Sequence, residues 1–429
     1  MDRRDFLSAG LGALALPGLM RHRQQMPVVN AARLITNLQT LTQFGRTDSG
    51  GLSRLAYSDA DLEARDYVTT LMRAAGVEPA VDLAGNLIGR RAGRESLPPI
   101  MFGSHIDSVP EGGNFDGQVG SMAAIEVAHS LLDNDVVLRH SIEVVIFQNE
   151  EGGKTGSRAI SGEVQPEELA LMTRSGFTIR EGIRRLGGDP DRLSEARRSK
   201  GNVASYLELH IEQGAVLDQA NIDIGVVEGI VGIKRWFVTF DGFANHAGTT
   251  PMDQRRDAMY AAARFTTMVR ETVMSFEGKQ VGTVGQVEVT PGVPNVIAGH
   301  VRLTLEIRDL SMDKIEEVFS AIQTNTRQIA RDTDTETSFE QYYVSRAAPT
   351  DERLRATIER SATDLGYSAL RMPSGAGHDA QSIALLAPVG MIFVPSIGGI
   401  SHSPLEFSRP ADIERGANVL LRTLMALDA

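Results

Sequence analysis

The segment Gly103-Ser104-His105-Ile106-Asp107 puts an imidazole at the end of an apolar run, with a carboxylate two residues on. Such a carboxylate can accept from the second ring nitrogen, fixing the tautomer and leaving the first free for a metal ion. Alone, a His-x-Asp at a strand end is more often an ordinary polar turn. Asp116 follows in Gly112-Gly113-Asn114-Phe115-Asp116-Gly117, where glycine lets backbone approach an ion closely. It is a candidate to bridge two metal ions, which in two-metal hydrolases stand roughly 3.5–4 Å apart; a helix N-cap explains it about as well. Glu150-Glu151 ends the apolar run 142–147 and precedes Gly152-Gly153. Of two adjacent carboxylates at a strand's carboxyl end, one can ligate while the other works as a general base, although a solvated acidic turn has the same composition. His210 lies in the alternating stretch Leu207-Glu208-Leu209-His210-Ile211, and His402 follows the apolar run 390–394. Either histidine alone reads as structural. With only nine histidines in the chain, finding these two beside a His, an Asp and a Glu at strand ends favours a metal centre.

No cysteine occurs in the 429 residues, which excludes disulfides, thiolate ligands and a cysteine nucleophile. Any metal is therefore held by His, Asp and Glu, a donor set that suits zinc and also manganese, cobalt or nickel. A formal net charge of -12, with no basic stripe interleaved with aromatics, argues against a nucleic-acid partner and for a small molecule.

These residues need a scaffold, and the length and the 42% hydrophobic content suffice for two domains. Residues 30–43 and 58–75 read as amphipathic helices, the second opening at Ser58 with Asp61 three residues later. Strand-like runs at 99–103 and 141–149 flank a helical stretch at 120–132, which predicts an α/β unit with a mixed, largely parallel sheet. From about 223 to 344 the rhythm changes. Strand 231–240, helix 253–276, strands 281–290 and 296–308, helix 312–332 and strand 336–344 spell the β-α-β-β-α-β order of a ferredoxin-like unit. Helix 351–366 and strand 389–394 then return to the first sheet. The expected organisation is a catalytic domain from 28–222 and 345–429 with an inserted α+β lid and dimerisation domain at 223–344, a hinge lying at the two crossings.

The N-terminus differs from the rest. Arg3-Arg4-Asp5-Phe6-Leu7 precedes a short uncharged run, 8–20, which reads as a twin-arginine export signal over residues 1–27. The run is too short for a permanent membrane anchor and contains Pro17. A periplasmic or secreted enzyme, loaded with metal before export, is the expectation.

The motifs recur in a fixed order: His105-x-Asp107, Asp116, Glu150-Glu151, His210-Ile211-Glu212-Gln213-Gly214, His246-Ala247-Gly248-Thr249-Thr250-Pro251-Met252, Gly375-Ala376-Gly377-His378-Asp379-Ala380 and His402-Ser403-Pro404-x-Glu406. The set resembles the hydantoinase/carbamoylase branch of the zinc aminoacylase and carboxypeptidase-G superfamily, which includes N-carbamoyl-L-amino-acid hydrolases, allantoate amidohydrolases and beta-ureidopropionases. The resemblance covers almost everything after residue 30. It implies two divalent ions per subunit, bridged by Asp116 and completed by His105, Glu151, His210 and His402, with Glu150 as general base acting on a metal-bound water and Asp107, also in the catalytic set, supporting His105. It implies that His246 reaches the partner subunit's active site in a homodimer and stabilises the oxyanion. Asn295 and Arg308 match binders of a substrate carboxylate, for which a guanidinium fork is suited. Gln213 matches a residue near the metal and the ureido group, and Gly377 and His378 belong to the same substrate-binding set. One departure touches substrate shape: the branch commonly follows Glu-Glu-Gly with an Arg-Phe type sequence, whereas here it reads Gly152-Gly153-Lys154-Thr155-Gly156.

The reaction implied is hydrolysis of the linear C–N amide of an N-carbamoyl-L-amino acid or related ureido acid. An exported aminoacylase or exopeptidase on the same metals is the rival, separable by whether ammonia is released. A binding protein without turnover is the third reading, which the full set of ligands and base opposes.

Overall fold

The structure, a computed structural model, describes residues 26–428; the expected export signal lies almost wholly outside the described residues. The strands are β1 (Glu78–Val81), β2 (Leu87–Arg91), β3 (Ile100–His105), β4 (Ile142–Phe147), β5 (Ser205–Ile211), β6 (Ile224–Ile230), β7 (Gly232–Asp241), β8 (Val281–Thr290), β9 (His300–Asp309), β10 (Glu336–Ser345), β11 (Ala348–Pro349), β12 (Ala369–Ser374) and β13 (Val389–Val394). They form two sheets. The larger has nine strands in the order β1-β2-β4-β3-β5-β13-β6-β11, with β12 also paired to β6. Its centre, β4-β3-β5-β13, is parallel, while the β1-β2-β4 edge runs antiparallel.

Sequence chemistry explains this centre. β3, β4, β5 and β13 are buried at every residue, as parallel strands covered on both faces must be. Helix Gln118–Asp133 lies against them and buries almost its whole length. It is a crossover helix between strands, so its apolar composition is spread all round rather than confined to one stripe. The register pairs His105 with Phe147 and Val394 with Ile211, so the carboxyl ends of these four strands open on one edge. In parallel α/β sheets that edge is where ligands bind.

The smaller sheet, order β10-β7-β9-β8, is antiparallel. Helices Ala258–Ser275 and Met312–Asp332 enclose a core on it that includes Trp236, Phe240, Phe265, Ile315 and Ile322. Trp236 stacks on Phe319 with ring centroids 4.0 Å apart. The element order is the β-α-β-β-α-β expected from the sequence. Its first helix starts at Ala258 and not at 253, because Asp257 accepts from the Met259 and Tyr260 amides (3.0 and 3.1 Å) and caps it there.

The boundary expected at 223 is displaced. β6 pairs with β13 and β12 in the larger sheet, and the chain enters the smaller sheet only at Gly232. The reason is visible in Ile224–Ile230, buried at all but one position: it needs cover on both faces, which a central strand has. The hairpin β1-β2, strand β12 and the short helices Thr155–Ser161 and Ile179–Arg185 lack the length or periodicity to announce themselves.

Gly120 shows how closely the crossover helix approaches β5. A Cβ there would lie 2.0 Å from the Leu209 carbonyl oxygen and 2.9 Å from Ser104 Cβ. In an open helix, glycine to alanine is stabilising, by roughly 0.5–1 kcal/mol. Here Gly120→Ala is expected to destabilise, by about 1–3 kcal/mol as for other overpacked sites. Denaturant unfolding measures it, and an unchanged or raised midpoint would disprove the contact.

Candidate metal centre

Asp116 stands at the mouth of the crossover helix, buried, with its two carboxylate oxygens facing different ways. Oδ1 lies 3.6 Å from His105 Nε2 and 3.2 Å from His210 Nε2. Oδ2 lies 3.4 Å from His402 Nε2, whose ring is also 3.5 Å from Glu151 Oε1. Two ligand sets result, His105–Asp116–His210 and Asp116–Glu151–His402, each with its donor atoms within 4.8 Å of one another and with Asp116 in common.

The hydrogen-bond pattern tests whether cations fit. His105 Nδ1 faces the Asp107 carbonyl at 3.0 Å and His210 Nδ1 faces the Ile211 carbonyl at 2.9 Å. Both Nδ1 atoms therefore carry the proton, and each Nε2 faces Asp116, that of His210 also accepting from the Gly117 amide (3.1 Å). Lone pair facing carboxylate is repulsive unless a cation or a proton lies between. The all-N/O donor set, in two groups that share Asp116, suits divalent metal ions.

Without them, protons take their place. Burial opposes charge on His105, but Asp116, Glu150 and Asp107 outweigh it and raise its pKa well above 6.5. His210 is likewise raised by Asp116 against its burial. His402 is raised to about 9 by Asp116, with Glu151 assisting against desolvation. Burial and the like charges of Asp116 and Glu150 lift Glu151 to about 8. Asp116 is buried too, yet the three histidines hold it well below its usual value.

Each ligand is placed by backbone. His105 ends β3, His210 is the penultimate residue of β5, and the Glu150-Glu151 pair follows β4 after a left-handed Asn149 (φ 54°). Asp107 departs from its expected part: its carboxylate accepts from the Glu150 and Glu151 amides (both 3.2 Å), and its carbonyl, closer than its carboxylate, orients His105. The geometry of a tight turn decides this, since the strand ends at His105. Gly117 (φ 70°) is forced, because a Cβ would fall 2.3 Å from the His105 ring.

Glu150 lies in the same cleft, its Oε2 3.9 Å from His105 Nε2 and its side chain 10% exposed. Burial raises its pKa, with His105 and Lys154 opposing. Gln213, at φ 60°, donates from Nε2 to Asp116 Oδ2 (2.6 Å), and its Oε1 is buried without a partner. His378 is set behind the centre: buried, edge-on to His210 (centroids 4.5 Å) and bonded through Nε2 to Ser374 Oγ (2.8 Å). Burial, with His210 adding to it, drives its pKa well down, so it is neutral. Gly377 borders Lys154, whose Nζ would sit 3.0 Å from a Cβ added there. Lys154, itself left-handed (φ 58°), opens helix Thr155–Ser161 and donates to Gln381.

His246, Asn295 and Arg308 are elsewhere, on the smaller-sheet unit. His246 is exposed, and its Nδ1 accepts from the Gly248 and Thr249 amides (3.0 and 3.2 Å), leaving Nε2–H as a free donor. The Asn295 carbonyl accepts from the Ala247 amide (3.0 Å), which ties it to the same loop. Arg308 pairs with Glu306 (2.7 Å) and donates to the Gly375 carbonyl (2.6 Å) across the seam between the sheets.

Three acids were not singled out from sequence. Glu406 accepts from the Phe115 and Asp116 amides (2.9 and 3.0 Å) and from Ser401, clamping the bridge loop. Its spacing in His402-Ser403-Pro404-x-Glu406 was the available signal. Glu208, two residues before His210 and so on the same strand face, accepts from Ser104 Oγ (2.8 Å) and the Ala380 amide (3.0 Å). Both its oxygens are engaged, so the Glu208–His210–His378 group supports the centre from behind. Asp379 is fully buried with neither oxygen partnered, and burial beside Glu150 and Glu208 raises it well above its ordinary value.

A profile of peptidase family M20/M25/M40 matches residues 101–426. This chain belongs to that family. Within it the relatives are those of the hydantoinase/carbamoylase branch. The chain is 40% identical to an N-carbamoyl-L-amino acid amidohydrolase of Geobacillus stearothermophilus, over 93% of this chain and 99% of that one. It is 34% identical to the allantoate amidohydrolase of Escherichia coli, over 91% and 96%. A crystal structure of a hydantoinase/carbamoylase family amidase from Burkholderia multivorans superposes with a TM-score of 0.86 at 36% identity, over 93% and 98%. The family's metal dependence agrees with the donor set built above, and this member is a hydrolase of linear C–N amides.

Metal-free protein should lose stability as pH rises. Glu151 (about 8 folded, 4.5 ordinarily) and His402 (about 9 against 6.5) both hold protons that the unfolded chain releases. Their contribution is complete at low pH and lost as pH climbs through the folded values. The melting temperature of chelated protein should fall between about pH 6 and pH 9, and the gain on adding metal should grow, because cations displace those protons. Calorimetry at several pH values checks this; a flat or rising metal-free curve would contradict it.

Proposed function

We propose that this protein hydrolyses N-carbamoyl-L-amino acids or closely related ureido acids, using two divalent ions held by His105, Asp116, Glu151, His210 and His402. The observation that carries the reading is the division of the Asp116 oxygens between two ligand sets, with Glu150 beside them and Gln213 Oε1 unpartnered. When bound, the ions would supply Lewis-acid polarisation of the carbonyl and acidify the attacking water. Glu150 takes the water proton and returns it to the leaving nitrogen, a role favoured by the burial that raises its basicity. Asp107 keeps the Glu150 amide fixed while this happens. Gln213 Oε1 is placed to accept from a ureido N–H. For a carbamoyl amino acid the products are the free amino acid, carbon dioxide and ammonia.

The N-acyl rival gives a free amine without ammonia. We expect ammonia from a panel of N-carbamoyl amino acids, allantoate and ureidopropionate after loading with zinc or manganese. Glu150→Gln should retain its metal by elemental analysis and lose turnover by about 10²- to 10⁴-fold. Near-normal rates in that variant would remove Glu150 as the base, and amine without ammonia would favour the aminoacylase or exopeptidase.

The working unit proposed is a homodimer in which His246 completes the neighbouring site. The support is its exposed ring with Nε2–H free, on a unit apart from the ligand sets. Mixed His246→Ala and Glu150→Gln chains should regain activity that neither parent has, since one heterodimer site combines intact base and intact donor. No recovery in mixtures shown to exchange subunits would mean that His246 acts within its own chain.

The Arg3-Arg4 segment supports export by the twin-arginine route to the periplasm or beyond. N-terminal sequencing of protein recovered from a twin-arginine-competent host should show the segment removed, and Arg3→Lys/Arg4→Lys should retain the chain in the cytosol. Unaltered export of that variant would refute the assignment.

A further inference from the structure

A cavity of ≈ 380 Å³ opens beside the metal centre. Asp107, Asn149 and Glu151 line one side of it, so it is continuous with the ligand set. Its other walls mix apolar groups, Leu55, Val109, Leu171, Met172 and Ile179 among them, with polar Ser108, Thr173, Arg174 and Ser175. Leu171 and Met172 are 56% and 66% exposed. Large apolar groups side by side in solvent mark a surface that is covered during function.

These two residues do not sit on a loose loop. Met172 bridges to Thr178, the Thr173 amide donates to the Phe177 carbonyl (2.9 Å), and the Ile179 amide donates to the Leu171 carbonyl (3.0 Å). Thr178 then caps helix Ile179–Arg185 in a reciprocal pair with Glu181. The hairpin is thereby anchored at both ends, and it holds two apolar side chains over the cavity. None of the steps derived above uses them.

We infer that this cavity is the subsite for the substrate's α-substituent, and that the enzyme takes amino-acid derivatives with apolar side chains of about leucine to phenylalanine size. The inference rests on the carbamoylase reading only for the identity of the bond cut. The α-carbon is bonded directly to the scissile nitrogen, so its substituent must lie next to the centre, as this cavity does. A volume in the usual range for small-molecule sites (roughly 300–1,000 Å³), with apolar side chains on its walls beside polar ones, suits such a subsite. The Met172 thioether can adapt to different shapes. A second ureido group, as in allantoate, would forgo the apolar contact that Leu171 and Met172 offer. Ureidopropionate has no substituent to fill the space. Arg174, exposed on the same hairpin at the cavity's edge, makes an acidic side chain the competing class.

The test uses the metal-loaded full chain. We expect kcat/KM for N-carbamoyl-L-leucine to exceed that for N-carbamoylglycine by at least about ten-fold, as removal of apolar contacts in a pocket typically gives 10- to 200-fold. In Leu171→Ala/Met172→Ala, two exposed positions whose truncation spares the core, that ratio should fall about ten-fold with N-carbamoylglycine unaffected. A wild-type ratio near one, a preference for N-carbamoyl-L-glutamate, or equal loss on both substrates in the variant would overturn the inference. The same ratio is read with N-acetyl-L-leucine and N-acetylglycine: cleavage of the acetyl series alone would sink the carbamoylase reading while still testing the cavity. Should neither series turn over, calorimetric Kd values for N-carbamoyl-L-leucine and N-carbamoylglycine decide it, equal affinities counting against the subsite.

Discussion

The structure is organised around the electrostatic problem posed by Asp116. A buried carboxylate faces three imidazoles at 3.2–3.6 Å, and two of them have their proton-bearing nitrogen committed to a backbone carbonyl. That arrangement is unfavourable in an empty, low-dielectric cleft. Divalent cations, which His105, His210, His402, Glu151 and Asp116 would hold, would relieve it. The raised histidine values and the elevated Glu151 describe the same deficit of positive charge, met by protons when no metal is present.

Much of the surrounding sequence keeps this arrangement from relaxing. Glu406 holds the Asp116 loop through two amides, Asp107 holds the Glu150-Glu151 turn through two more, and Gly117 and Gly120 let helix and imidazole approach without a Cβ between them. Behind the ligands, neutral His378 packs edge-on against His210, and Glu208 ties β5 to Ser104 and the Ala380 amide. Such supporting bonds orient ligands and set their basicity. They also explain the number of buried acids here: each is tolerated because its oxygens meet backbone amides, hydroxyls or imidazoles. Asp379 is the exception, and its neutral form answers the lack of partners.

The residues proposed to meet the substrate are divided between the two sheets. The larger one carries the candidate ligands, Glu150 and the cavity beside them, while the smaller one carries His246, Asn295 and Arg308. The guanidinium of Arg308 spans the seam to the Gly375 carbonyl, next to the loop bearing Gly377 and His378. A reaction that needs residues from both parts couples chemistry to how the parts are held together, and the chain crosses between them only near 231 and 346.

The sequence alone determined the fold class, the order of elements in the smaller unit and the identity of the convergent groups. Each of these is local: strand ends, glycine loops and periodicity are written in neighbouring residues, and the absence of cysteine fixes the ligand chemistry. What it could not determine is where a side chain points once distant strands meet. The placing of Ile224–Ile230 in the larger sheet depends on β12 and β13, well over a hundred residues on. The exchange of parts between the Asp107 carboxylate and carbonyl depends on the amides arriving from after β4. Glu406 becomes the clamp of Asp116 only because packing brings residues 290 apart into hydrogen-bond contact. The cavity is likewise assembled from four separate stretches of chain, so no single one of them shows it; pattern selects the parts, and long-range packing decides which faces they turn to one another.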